Sequence, residues 1–308
     1  MNDRITRLAI GVLLAIGVFA SASLPAAAQS QGVCDAIVAL KAGDNADAWA
    51  LLNTQPASLE PNAAFLRAKM LEYALGVPHD AQTAIAEMTD AANRGVVEAQ
   101  ARLGLWYEIG TVGETAIARA YDQSKYWVGI AANNGHADSM KNYAIHLEGG
   151  LVGPGEATGT PDLDAAITWY TMGAKRGSIA ALRNLGRVML QVGNQRAALI
   201  LLHQAARIND GLAHWLLATY YDAIPDTNTL ADNAVHVAAY YHYSMAERLI
   251  DDPSYKQQAQ TLRAAIGIND AVVEQVMPFQ HNRLHKPVYL IERANKPWDA
   301  IAEAEGCN

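Results

Sequence analysis

A five-residue phrase, Ala-Ala-x-x-Gly, recurs along this chain at regular intervals. It stands at Ala91–Gly95 and Ala131–Gly135, and with one change each at Gly173–Gly177 and Ala205–Asn209. Gly, or Asn as its best substitute, suits the left-handed residue that closes a helix, so each fifth residue predicts a helix end. Pro61 and Leu249 hold the equivalent position in weaker copies, which gives anchor spacings of 34, 40, 42, 32 and 40 residues. Self-similarity at such a period means small units that bury their apolar faces only by stacking on one another.

The residues around the anchors say what each unit is. Three before stand Ala92, Ala132, Ala174, Ala206 and Ala246; eleven before stand Ala84, Ser124, Ala166, Ala198 and Ala238. Between them, eight before, lie Glu87, Trp127, Trp169, Leu201 and Tyr241. These offsets trace one face of a helix. Four after the anchors stand Phe65, Ala99, Ser139, Ala181 and Ala213, and nine after stand Met70, Gly104, Ala144, Gly186 and Ala218. Twelve after, a bulky residue closes the pattern in Tyr73, Tyr107, Leu147, Met189 and Tyr221. Each unit therefore predicts two helices with small residues where they must approach closely. Composition agrees: the chain holds 58 alanines and three phenylalanines, which suits close-packed helices and excludes a β-sandwich or barrel core.

Leu103-Gly104-x-x-Tyr107, a Gly-containing loop, and then Ser124-x-x-Trp127-x-x-x-Ala131-Ala132-x-x-Gly135 together resemble the Sel-one-like repeat family, a relative of the tetratricopeptide repeats. The best copies run over 99–135 and 137–177, with weaker ones from about 61 to 249. The resemblance implies an all-α fold, a right-handed α-solenoid of about five to six stacked antiparallel helix pairs with a concave groove. It also implies a scaffold or adaptor role toward other proteins. Some exported members carry a disulfide in each repeat; this chain has no cysteine there.

The ends of the chain do not follow the repeat. Arg4 and Arg7, the uncharged run 8–20 and the small-residue stop Ala26-Ala27-Ala28 have the layout of a secretory signal peptide over residues 1–28. Thirteen uncharged residues are too few to span a bilayer, which predicts a soluble periplasmic or secreted product. Cleavage after Ala28 removes Asp3, Arg4 and Arg7 and takes the net charge from −8 to −9. An acidic chain whose basic cluster is only Arg283, His285 and Lys286 argues against nucleic-acid partners. Residues 29–60 read as N-terminal capping helices, residues 61–252 as the array, and residues 253–308 as a non-repeat C-terminal tail. Within the tail, helices are predicted at 257–266 and 271–276, followed by the apolar run 288–291. Cys34 and Cys307 form an even pair that an oxidising compartment would join, against the alternative of two separate thiols. Joined, they would carry the tail back along the array, partly filling the groove.

Candidate chemistry is sparse. His281 and His285 have the i, i+4 spacing of a metal pair but lack a Glu between them and a third ligand, so no metal site or other cofactor is predicted. Gly149–Gly159 has five glycines and no Lys-Ser/Thr after it; it reads as an enlarged loop, with Asp162 or Asp164 capping the next helix. The pairs Asp251/Asp252 and Glu303/Glu305 have nothing to poise them, and no Ser or Cys sits beside a base in a strained turn. No catalytic residue is assigned.

A binding stripe is the stronger candidate. Seven after the anchors stand Arg102, Asn142 and Asn184, and eleven after stand Trp106, His146 and Tyr220. These offsets differ by four, so the six residues share a face of the first helices, the ones that line the concave side in the related superhelices. Two Asn amides in consecutive repeats offer donors and acceptors to an extended peptide. The sequence thus predicts a non-enzymatic protein-interaction scaffold of the cell envelope. By resemblance, it would act as a periplasmic regulator or assembly adaptor with a protein or peptide partner. The alternatives are a cell-wall or β-lactam-related hydrolase and a glycan-binding module.

Overall fold

The computed structural model describes residues 31–54, 57–153, 156–157, 159–225, 230–268 and 271–272. They fall into two compact units that divide between Glu60 and Pro61. The smaller holds α1 (Gln31–Ala42), α2 (Asn45–Leu52) and a 3-10 turn at Ala57–Leu59. Val33, Ala36, Ile37 and Leu40 repeat at helical spacing, and all four are buried, along with Ala48 and Leu52 of α2.

The larger unit is a row of antiparallel helix pairs. These are α3 (Pro61–Glu72) with α4 (Ala81–Asn93), α5 (Val97–Ile109) with α6 (Tyr121–Asn133), and α7 (Ala137–Gly149) with α8 (Leu163–Lys175). Then come α9 (Ile179–Gln191) with α10 (Gln195–Arg207), α11 (Gly211–Asp222) with α12 (Leu230–Leu249), and a final α13 (Pro253–Ala265). Each helix packs mainly on its neighbours in sequence, and first helices also touch across pairs, α7 on α9 and α9 on α11. The result is an α-solenoid. Its core is a string of small clusters: Ala144, Ala166, Tyr170, Ala181 and Leu185 form one, and Leu202, Ala205, Ala213 and Leu217 form the next. Such an array is stabilised by contacts between adjacent units, with no wide centre to fill.

The anchors close helices as the phrase predicts. Gly95, Gly135 and Gly177 have φ of 94°, 98° and 91°, and Asn209 takes the same region at 63°. Pro61 is different. It opens α3, because a ring that fixes φ and lacks an N–H belongs in the first turn. The alanines eleven before the anchors, and Ser124, are buried. Nine after, Gly104 and Gly186 are where the paired helix comes closest. A Cβ on Gly104 would lie 2.5 Å from Val128 Cγ2 and 3.1 Å from Val128 N. Gly104→Ala is expected to destabilise by up to about 2 kcal/mol, because overpacking of ~1–3 kcal/mol is only partly offset by a helix-propensity gain of ~1 kcal/mol. A thermal melt of the single variant checks the sign.

Several local features differ from the sequence reading. Two short hairpins, β1 (Thr111–Val112) with β2 (Thr115–Ala116) and β3 (Leu151–Gly153) with β4 (Glu156–Ala157), bridge the helices of the second and third pairs. Gly149–Gly159 thus contains paired strand residues. Asp162 is the residue that caps α8, accepting the Ala165 N–H at 2.9 Å. The helix predicted from 257 begins at Pro253, because the Asp252 carboxylate accepts the N–H groups of Ser254 and Tyr255. His281, His285, the 288–291 run, Glu303, Glu305 and Cys307 lie outside the described residues, as does most of the helix predicted at 271–276. Among the described residues no helix is long and apolar enough to cross a membrane.

Candidate interaction surface

The first helices α3, α5, α7, α9 and α11 follow one another along the row, and at two junctions, α3–α5 and α7–α9, an acid at or near the end of one meets an arginine on the next. At the α3–α5 junction, Glu72 is 4% exposed and is the hub of a network. It accepts Lys69 Nζ at 3.0 Å, Trp106 Nε1 at 3.0 Å and the guanidinium of Arg102. Burial alone pushes the Glu72 carboxyl up. The Arg102 hydrogen bond and the Lys69 and Arg102 charges outweigh it and hold the carboxyl below its usual range. The Tyr73 hydroxyl joins Lys69 and Arg102 at the rim.

The α7–α9 junction repeats the arrangement with different residues. Glu148 accepts from Arg187 and from the Tyr170 hydroxyl, the latter at 2.9 Å. Burial and the Glu148 charge push the Tyr170 hydroxyl up, so it stays protonated as donor. Beside the pair, a cavity of about 400 Å³ is lined by Ile145, Glu148, Gly149, Asn184 and Arg187.

Between these two junctions, at α5–α7, the acid faces a histidine in place of an arginine. His146 Nε2 is buried without a hydrogen-bond partner and lies 4.0 Å from Glu108 Oε2. Desolvation, reinforced by Lys125, lowers the His146 pKa, while desolvation raises that of Glu108 against the pull of Lys141. The imidazole is thus held neutral in the fold. The unfolded imidazole binds a proton first as pH falls below about 6.5, so His146 contributes stability that is lost on acidification. His203, lowered by burial, works in the same direction. His146→Met is expected to flatten the decline in stability between about pH 6.5 and 5 without abolishing it, as urea titrations across that range would show. An unchanged slope would contradict a buried neutral His146.

The structure separates the six stripe residues by depth. Trp106 and His146 are 1% and 2% exposed, so they are interior side chains and present no surface to a partner. Arg102 is committed to Glu72 and Tyr73. Asn142, Asn184 and Tyr220 are half-buried. Tyr220 reaches Gln195 Oε1 at 3.4 Å, whereas neither Asn amide has a hydrogen-bond partner among the described residues. Lys69, Glu72 and Arg187 escaped the sequence reading. Lys69 pairs with Glu72 within α3, but Glu72 meets Arg102 and Trp106, and Arg187 meets Glu148, across helices far apart in sequence.

Other polar clusters are structural. His214 Nε2 faces the Ala206 carbonyl at 3.1 Å and its Nδ1 faces His242 Nδ1 at 2.8 Å, tying α11 to α12. Ser139 Oγ is 2.8 Å from His136 Nδ1, but that nitrogen caps α7 by accepting the Ser139 N–H, and the serine is 2% exposed. Among the described residues no group of three or more His, Cys, Asp or Glu side chains is placed to hold a metal ion.

Stacked antiparallel pairs with side chains uncommitted along one row define a helical-repeat scaffold. Residues 61–86, 97–136, 137–178 and 179–210 match the Sel1 repeat, so the chain carries an array of Sel1 repeats. The matches fall on the first four helix pairs; α11 and α12 continue the geometry beyond them. Sel1 repeat proteins generally mediate protein–protein interaction, and their scaffold is generally non-catalytic. The fold is similar to that of a Sel1 repeat protein from Oxalobacter formigenes, at TM-score 0.62 and 23% identity over 82% of this chain and 99% of that one. It is also similar to a protective antigen of uropathogenic Escherichia coli strains with an SLR fold, at TM-score 0.52 and 17% identity over 85% of this chain and 65% of that one. No curated protein sequence matches the chain.

Proposed function

We propose that the chain is exported and works in the cell envelope as a non-enzymatic docking scaffold, a regulator or an assembly adaptor for another protein. The observation that carries this reading is the pair Asn142 and Asn184. They occupy equivalent positions on successive first helices, both half-exposed, neither hydrogen-bonded to a described residue, with the α7–α9 cavity beside Asn184. An extended segment offers backbone donors and acceptors at regular spacing, which two such amides can meet while Ile145 takes an apolar side chain. Export rests on the basic start, apolar run and Ala26-Ala27-Ala28 stop of the first 28 residues. A hydrolase would need an exposed nucleophile beside a free base, and Ser139 with His136 supplies neither.

Fractionation of expressing cells followed by N-terminal sequencing tests the export half. A product starting at Gln29 outside the cytoplasm is expected; an uncleaved cytoplasmic chain would overturn it. Peptide mapping of that product without reductant is expected to link Cys34 to Cys307, and alkylation of both thiols without reduction would remove the link. Crosslinking in cells with mass spectrometry tests the scaffold half, and turnover of a cell-wall substrate abolished by one point mutation would replace it with the hydrolase.

A further inference from the structure

A second cavity, of about 480 Å³, opens over α6 and α7, away from the α7–α9 cavity, and its origin is legible in the repeat. Six before and eight after the anchors, successive junctions carry Thr89 with Leu103, Gly129 with Tyr143, Thr171 with Leu185, and His203 with Leu217. Only the second replaces a side chain with glycine and a leucine with an aromatic ring. A Cβ at position 129 would lie 3.3 Å from the Tyr143 ring, so the glycine is what lets this half-buried ring lie close over α6 at the cavity wall. Trp169 supports Tyr143 edge-on at 5.2 Å, and Trp127 supports Tyr126 at 5.0 Å. Tyr126 itself is 57% exposed at the cavity wall.

The polar groups around these rings are uncommitted. Asp122, Lys125 and the hydroxyls of Tyr126 and Tyr143 make no hydrogen bond or ion pair among the described residues. Asn133 donates its Nδ2 to the Gly129 carbonyl at 2.8 Å, which leaves its Oδ1 to accept. We propose that this cavity binds a neutral saccharide. Asp122 and Lys125 carry opposite charges, so the site has no net charge to attract an ion. It offers acceptors, donors and hydroxyls that do both, which is what a ring of hydroxyl groups requires. The two tyrosine rings receive the apolar C–H face of the same sugar, and the volume is within the range of small-molecule pockets. This site is independent of the docking surface proposed above, so either can fail alone.

Calorimetric titration of the purified mature chain with chitotriose, cellotriose and maltotriose tests it. At least one is expected to bind saturably at one site per chain. Asp122→Ala is expected to weaken that binding about tenfold, the loss of one hydrogen bond to a charged group. The double variant Gly129→Thr/Tyr143→Leu installs the residues of the neighbouring junctions. It is expected to keep the helical content and melting temperature of the parent and to lose the binding. The proposal is overturned if none of the three sugars binds. It is equally overturned if the double variant binds as the parent does, or if the tripeptide Gly-Lys-Gly saturates the cavity in preference to every sugar.

Discussion

Replacing Glu72 with Gln is expected to destabilise the array by about 3–5 kcal/mol, the cost of stranding a buried charge. The substitution preserves volume, so packing is not the cause. Glu72 and Lys69 are each 4% exposed, and Lys69, Arg102 and Trp106 all donate to the same carboxylate. A neutral amide would leave the buried Lys69 ammonium without a counter-charge and take the carboxylate from the partly exposed Arg102. Glu148→Gln is the control. Its partner Arg187 has a side chain 37% exposed and can turn to water, so a loss nearer 1 kcal/mol is expected, as for exposed ion pairs. Because a solenoid is nearly one-dimensional, the Glu72 effect should be local. Hydrogen exchange is expected to show lost protection in α3–α5 while α9 and α10 keep theirs. The depressed Glu72 carboxyl also contributes stability that is present above about pH 4.5 and is lost as pH falls through its folded value. That loss should be absent from the variant.

Trp106→Ala is expected to cost a further-reaching ~3–5 kcal/mol, the range for emptying a buried aromatic site. The indole is 1% exposed and its Nε1 donates to Glu72, so the variant creates a cavity and takes a donor from the hub. Asn142→Ala and Asn184→Ala should each lie within about 0.5 kcal/mol of the parent, since neither amide is bonded to a described residue. Denaturant midpoints of the three variants separate the two classes. A near-neutral Trp106→Ala would return that residue to the surface.

The contrast shows what spacing can and cannot convey. Helix ends were legible because a left-handed residue is a local requirement, met by Gly95, Gly135, Gly177 and Asn209. Close approaches were legible too, because only a small side chain fits at Ala84, Ser124, Gly104 or Gly186. Depth was not. A period of four places Trp106 and His146 on the same helix face as Arg102 and Asn142, but how far that face sinks depends on the next helix. At Trp106 it sinks under the Glu72 network. The acid–base junctions were invisible for a related reason: Glu72 and Arg102 are 30 residues apart, and Glu148 and Arg187 are 39 apart, with nothing local to link them. Pro61 shows the opposite error, an anchor position filled by a residue that begins a helix. The Gly129–Tyr143 departure, by contrast, stands in the sequence but gains meaning only once the cavity above it is seen.

We propose that the row of first helices docks another protein through Asn142 and Asn184. A photo-crosslinking amino acid placed in turn at 142, at 184 and at the exposed position 123 on α6 tests it most directly, in cells, with products resolved by mass. One discrete protein adduct, shared by positions 142 and 184 and absent at position 123, is expected. The same pattern of adducts at all three positions, or none at 142 and 184, would contradict it.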